Sequence, residues 1–240
     1  MREWLALLAV WSIFCSALMA ETKNVIVFVA LCDNASQGIV KVPAKIGDGN
    51  IPAENLYWGC DDGLSSHFKS SKEWKLLRSE KSTCPRILEC LVFSNKTLDI
   101  ELTAEAWRGS DIGACLQAFE TALVSGKHQL VVYIGHNVLM DKAIDPPAAP
   151  AKVSCDAMVL CCKSEEDFRK RLRKLQVRPV LLTKQFMYPG SFLLHDTLSP
   201  WSKDRSLAEI RLAAAGAYAH NQKISTKSAM GVFADLSISP

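Results

Sequence analysis

Apolar runs alternate with amphipathic stretches along most of this chain. Val25–Leu31 is a continuous, β-branched run, as a strand buried on both faces should be. His128–Ile134, Asp156–Cys162 and Val177–Thr183 repeat that character, and Arg86–Phe93 reads as a further strand. Leu98–Ala104 alternates apolar and polar residues, which predicts a half-exposed strand.

Helical spacing fills the gaps between these runs. Ile112, Leu116, Phe119 and Leu123 share one helical face, with Ser110 and Asp111 as capping residues and Gly126 as the stop. Glu165–Leu175 carries acids in its first turn and bases in its last, as the helix dipole favours. Further helices are predicted over Ala53 to about Lys72, Gly190 to about Leu198, and Ser206 to about Lys223. Gly59 and Gly63 weaken the first of these. Cys32 to about Pro52 is a long loop, of the kind that packs over a site. Ala143–Lys152 is a Pro- and Ala-rich loop. Alternation of this sort is the signature of an α/β three-layer sandwich with a mainly parallel sheet.

Composition narrows the picture. The chain has 240 residues, 49% of them hydrophobic and 22% charged, which fits a single globular domain and excludes a disordered chain. A net charge of +3 is too small to argue for a nucleic-acid partner. Leu5–Ala20 is apolar and uncharged, too short to span a bilayer, and ends in small residues before Glu21-Thr22-Lys23. That is the layout of a signal peptide cleaved after Ala20, and it predicts an exported, periplasmic or secreted, protein with no stable membrane span after cleavage; an uncleaved N-terminal anchor helix is the alternative. The expected division is a signal over 1–20, one α/β domain over 21–224 and a loosely held tail over 225–240.

Nine cysteines are present, and Cys15 would leave with the signal. Eight remain, an even number that permits disulfides in an exported chain. No CxxC pair, HxxxH motif or glycine-rich phosphate loop occurs, so neither a metal nor a cofactor is expected. GxSxG is absent as well, which argues against an α/β-hydrolase. Two sequons, Asn34-Ala35-Ser36 and Asn95-Lys96-Thr97, are compatible with chance. The basic residues between Arg169 and Lys174 read as a solvated helix face. Trp58, Trp74 and Trp107 are expected to close the core, and His67, His128, His195 and His220 to be structural or surface residues.

Parallel sheets bind ligands at the carboxyl ends of their strands. Two such ends carry reactive side chains, Tyr133-Ile134-Gly135-His136 and Val159-Leu160-Cys161-Cys162. Nucleophilic cysteine catalysis needs a thiolate with an imidazole beside it, and neighbouring strand ends would fix that pair on a rigid scaffold; the alternative is that Cys162 is a buried strand-end or disulfide cysteine and His136 a structural histidine. Cys161 should point to the opposite face from Cys162 and pack in the core. Cys32 and Asp33 end another strand on the same edge and could line the site. Asp141 is expected to cap its loop, with orientation of the imidazole as the alternative.

A strand ending in Gly-His, then a loop, then a strand ending in Cys resembles the caspase–gingipain–legumain superfamily of cysteine peptidases. The likeness spans Val25 to about Thr183. It implies a caspase-like fold, His136 as general acid–base, Cys162 as nucleophile, an oxyanion site near Gly135 and Asn137, and a peptide or protein substrate. The family's histidine is normally followed by glycine, where this chain has Asn137, and the stretch from His136 to Cys162 is short for the family. The other function considered is a non-catalytic α/β binding or interaction domain on the same scaffold.

Overall fold

A computed structural model describes residues 22–80 and 82–238. The proposed signal segment therefore lies outside the described residues. Seven strands form one mixed sheet: β1 (Lys23–Ala30), β2 (Lys75–Glu80), β3 (Ile87–Asn95), β4 (Ile100–Trp107), β5 (Leu130–Ile134), β6 (Asp156–Leu160) and β7 (Arg178–Leu181). Their order is β2-β3-β4-β1-β5-β6-β7. The β4-β1-β5-β6-β7 block is parallel, and the β2–β3 hairpin adds antiparallel strands outside β4.

Among the described residues six α-helices cover the sheet: α1 (Leu64–Ser70), α2 (Ile112–Val124), α3 (Ser164–Lys174), α4 (Phe192–Ser202), α5 (Leu207–Gln222) and α6 (Thr226–Met230). The period-2 alternation of the strands divides the core in two. Val132 and Ile134 of β5, with Met158 and Leu160 of β6, pack toward α1, α4 and α5. Val131 and Tyr133, with Ala157 and Val159, pack toward α2 and α3 on the other face. This is the expected three-layer α/β/α sandwich. Trp58, Trp74 and Trp107 are all buried in these cores.

The differences from expectation have local causes. The helix predicted from Ala53 shrinks to α1, because residues 55–63 turn tightly over themselves: a Cβ on Gly63 would collide with the Trp58 backbone. Strand β2 escaped notice because all six of its residues are exposed, which erases any apolar alternation. Asp111 sits at the start of α2 but makes no side-chain cap; its carboxylate pairs with Arg108 and Arg86 instead. Helix α4 continues past Leu198, through Pro200, to Ser202.

The tail is held, not loose. After α6, the Lys184 amide donates to the Val232 carbonyl and the Ala234 amide to that of Leu182, while Phe233 is fully buried. That pairing is an isolated antiparallel bridge between Thr183 and Phe233, just past the end of β7.

The switch point of the sheet lies between β1 and β5. Chain leaving β1 goes to the β2–β3–β4 side, while chain leaving β5 goes to β6. Loops at the carboxyl ends of these two adjacent strands diverge there, and such a divergence opens a crevice.

Candidate functional site

The turn after β5 is built on Gly135. Its φ of +151° and its approach to β1 both exclude a side chain, since a Cβ would lie 2.9 Å from the Ala30 carbonyl oxygen. The buried Tyr133 hydroxyl then donates to the His136 carbonyl at 2.8 Å. Residues 138–140 form one turn of 3-10 helix, which carries Asp141 back over the imidazole.

His136 Nε2 donates to Asp141 Oδ2 at 2.7 Å. The same carboxylate accepts the Gly38 amide at 3.0 Å, so the loop after β1 helps to hold it. Partial burial pushes the Asp141 carboxyl up, but the Gly38 amide and His136 outweigh it and hold it below the usual carboxylate range. An ionised Asp141 on Nε2 fixes the tautomer and leaves Nδ1 for proton transfer. Asp141 thus ties two loops and orients the imidazole at once.

The turn after β6 is equally constrained. Lys163 adopts a left-handed conformation, φ 50°, and its amide donates to the Gln185 carbonyl at 3.0 Å. Ser164 donates to the Val159 carbonyl at 2.8 Å, and the Thr183 hydroxyl to that of Cys161. Cys161 faces the α2–α3 core and is fully buried. Cys162, one residue on, is half-buried and faces the carboxyl edge. The Met187 amide donates to its sulfur at 3.4 Å.

Asn137 connects the two turns. Its Nδ2 donates to the Cys162 carbonyl at 2.8 Å and to Asp167 of α3 at 2.7 Å, while its Oδ1 accepts the Leu139 amide at 3.2 Å. The side chain is wholly buried. Its structural work is to lock the spacing of the His136 and Cys162 strand ends, a role that residue type alone does not signal.

His136 and Cys162 line one cavity of about 300 Å³ on this edge, together with Gly135, Tyr57 and loop residues from the ends of β1 and β7. Cys32 and Asp33 do not line it. Cys32 is fully buried behind Tyr57, its backbone held by Asn55 at both the amide and the carbonyl. Burial pushes its thiol up to about 11, with Tyr57 opposing, so it stays protonated. The Asp33 carboxylate is spent on the Ala35 amide and the Ser36 hydroxyl of its own turn.

Elsewhere a second hydrogen-bonded array occurs that spacing in the sequence does not reveal. Ser71 Oγ lies 3.0 Å from His195 Nε2, and His195 Nδ1 lies 2.9 Å from Asp196 Oδ1. His67 packs edge-on against His195 at 5.2 Å between ring centres. Burial and the neighbouring His195 charge hold His67 below the usual imidazole value. A larger groove of about 580 Å³ lies toward the opposite end of the sheet, lined by Lys72, Lys75, Lys96 and Lys203 among polar groups, and contains no candidate residue.

All eight described cysteines are free thiols. Among the described residues no group of three or more His, Cys, Asp or Glu side chains could hold a metal ion, and no helix is long and apolar enough to cross a membrane. The side-chain amides of both sequons are engaged: Asn95 is buried and accepts the Thr97 and Leu98 amides, and Asn34 brackets Val42. Nor is the basic face of α3 wholly solvated, because Arg171 makes a bidentate pair with the buried Glu120. Searches for relatives found no matching protein-family model, no matching curated protein and no matching solved structure.

Proposed function

We propose that this chain is an exported cysteine endopeptidase of the caspase-like kind, with His136 and Cys162 as its dyad. The observation that carries the reading is the shared cavity: a half-buried thiol and a carboxylate-bound imidazole from neighbouring strands open onto the same space. Export rests on the apolar segment over Leu5–Ala20 and its small-residue end.

In this reading Cys162 Sγ bonds to the carbonyl carbon of a peptide, and its proton passes to His136 Nδ1. The imidazolium, steadied by Asp141, returns that proton to the departing amine as the C–N bond breaks. Water then attacks the thioester, giving the carboxylic acid and restoring the thiol. Backbone amides near Gly135 and Asn137 are the proposed donors to the oxyanion.

The test is selective alkylation. Iodoacetamide at mildly acidic pH should label Cys162 ahead of the other seven thiols, and His136→Ala should abolish that preference. A peptide library should then be cleaved by the parent protein and not by Cys162→Ala. Equal labelling of Cys162 with and without His136, and no cleavage, would sink the proposal.

A binding domain on the same scaffold is the second reading. Two observations favour it: Asn137 replaces the family's glycine, and both backbone groups of Met187 lie within hydrogen-bond reach of the Cys162 sulfur. The alkylation experiment separates the two.

A further inference from the structure

Four loops build the cavity beside His136 and Cys162, and its walls are strongly one-sided in chemistry. Ile39, Val40 and Val42 come from the loop after β1, Met140 from the turn after β5, and Phe186 and Met187 from the loop after β7. Among the described residues the ionisable side chains on the lining are those of Cys162, Tyr57 and His136, and His136 Nε2 is already bonded to Asp141. No carboxylate, ammonium or guanidinium of the described residues lines it.

The rim is largely apolar and exposed, with the Lys163 ammonium 5.0 Å from the centre of the Phe186 ring. Among the described residues ten large apolar side chains are exposed, and three of them stand on this one cavity: Val40 at 91%, Phe186 at 66% and Met140 at 44%. Scattered single exposures are ordinary, but clustering of exposed apolar groups around a concave site marks a place where a ligand covers them. The size agrees, since about 300 Å³ is at the small end of ligand pockets, room for one residue-sized group.

We infer that this cavity is the specificity pocket and that it takes a bulky, uncharged apolar side chain, such as Leu, Met or Phe, of a peptide. The inference rests on the peptidase reading for its substrate class, and on the lining residues for its selectivity. An acidic or basic side chain would lose its hydration there and find no charged group on the lining itself, since Asp141 stands behind it on His136 and the Gly38 amide, and Lys163 lies against the Phe186 ring at the rim. An apolar one would cover Val40, Met140 and Phe186 and release the water around them.

The experiment uses peptide acyloxymethyl ketones that differ only in the residue next to the ketone: Leu, Phe, Asp or Arg. Cys162 Sγ displaces the acyloxy group, forming a thioether and a free carboxylate, with the thiol proton passing to His136 and on to solvent. Mass spectrometry reads the labelling rate at Cys162. Leu and Phe probes should react about tenfold or more faster than Asp or Arg probes, the range one apolar contact normally gives. Val40→Glu, on an exposed loop position, should narrow the Leu-over-Arg ratio about tenfold.

Binding of the matching unreactive peptide amides to Cys162→Ala, by calorimetry, reads the pocket without the nucleophile. Equal rates for all probes, or faster charged probes, overturn the pocket inference and leave the dyad standing. Absence of labelling by any probe, with selective apolar binding retained, overturns the dyad and leaves the pocket. Loss of both overturns both.

Discussion

His136 and His195 are each hydrogen-bonded to a carboxylate and each associated with a nucleophile-bearing residue, yet they sit in very different surroundings. His195 lies on α4 with Asp196 as its next neighbour in sequence, and Ser71 reaches it from beyond the end of α1. Asp196 is exposed, and none of the three lines the cavity of His136 and Cys162 or the larger groove beside Lys72. His136 is buried, its carboxylate is held by a third segment through the Gly38 amide, and the cavity it lines also holds Cys162. The lesson is that side-chain pairing is common, while a concave space with fixed walls is what separates a candidate site from a surface network.

The sharpest way to break this comparison is to remove the reacting side chains. In the peptidase reading proposed above, Cys162→Ala or His136→Ala should lower peptide turnover by about 10³-fold or more. Ser71→Ala should leave turnover within about twofold, since that hydroxyl only tethers two helices. A collapse of turnover in Ser71→Ala would move the active site to α4.

Next in size is Asp141→Asn, which should reduce turnover by about 10²-fold or more by freeing the imidazole tautomer. The pH dependence has a definite sign. The folded-state value of Asp141 is depressed, so its contribution to stability is full above the ordinary carboxylate value of about 3.9 and fades as pH falls through the depressed value. Thermal unfolding of the parent and Asp141→Asn proteins should therefore differ at pH 7 and converge only below about pH 4. Convergence at pH 6 would deny Asp141 its role.

Two stability measurements sharpen the contrast further. Asn137→Leu removes the tie between the two strand ends and leaves the Cys162 carbonyl and Asp167 without their donor, and should cost about 1–3 kcal/mol in denaturant unfolding. It should also slow Cys162 labelling, because the spacing to His136 is no longer locked. His195→Leu should cost less, about 1 kcal/mol, and leave labelling unchanged. The reverse ranking would make the α4 network the more highly built of the two.

Much of the sheet was legible from apolar runs, because a strand buried on both faces needs an unbroken set of branched side chains. β5 and β6 were readable for that reason, and with them the positions of His136 and Cys162. β2 was not, since Lys75–Glu80 has no buried face to write a pattern. The tail misled because Val232 and Ala234 are secured by backbone bonds to the chain just beyond β7, which leave no periodic trace. At the site, Cys32 and Asp33 were placed on the correct edge, but strand-end position does not say whether a side chain meets a cavity or lies behind Tyr57.

Asp141 and Asn137 mark the remaining boundary. Their neighbourhood in sequence to His136 was visible, yet both act through partners far along the chain, Gly38 in one case and Cys162 with Asp167 in the other. Local sequence determined the alternating elements, the three-layer class and the presence of His and Cys at strand ends, because hydrophobic periodicity and chain stiffness act over a few residues. Only the tertiary structure decided that β5 and β6 are neighbours, that four loops enclose one apolar cavity, and that Asp141 meets the imidazole. Those outcomes depend on strand order and on contacts between distant segments, which no short window of sequence contains.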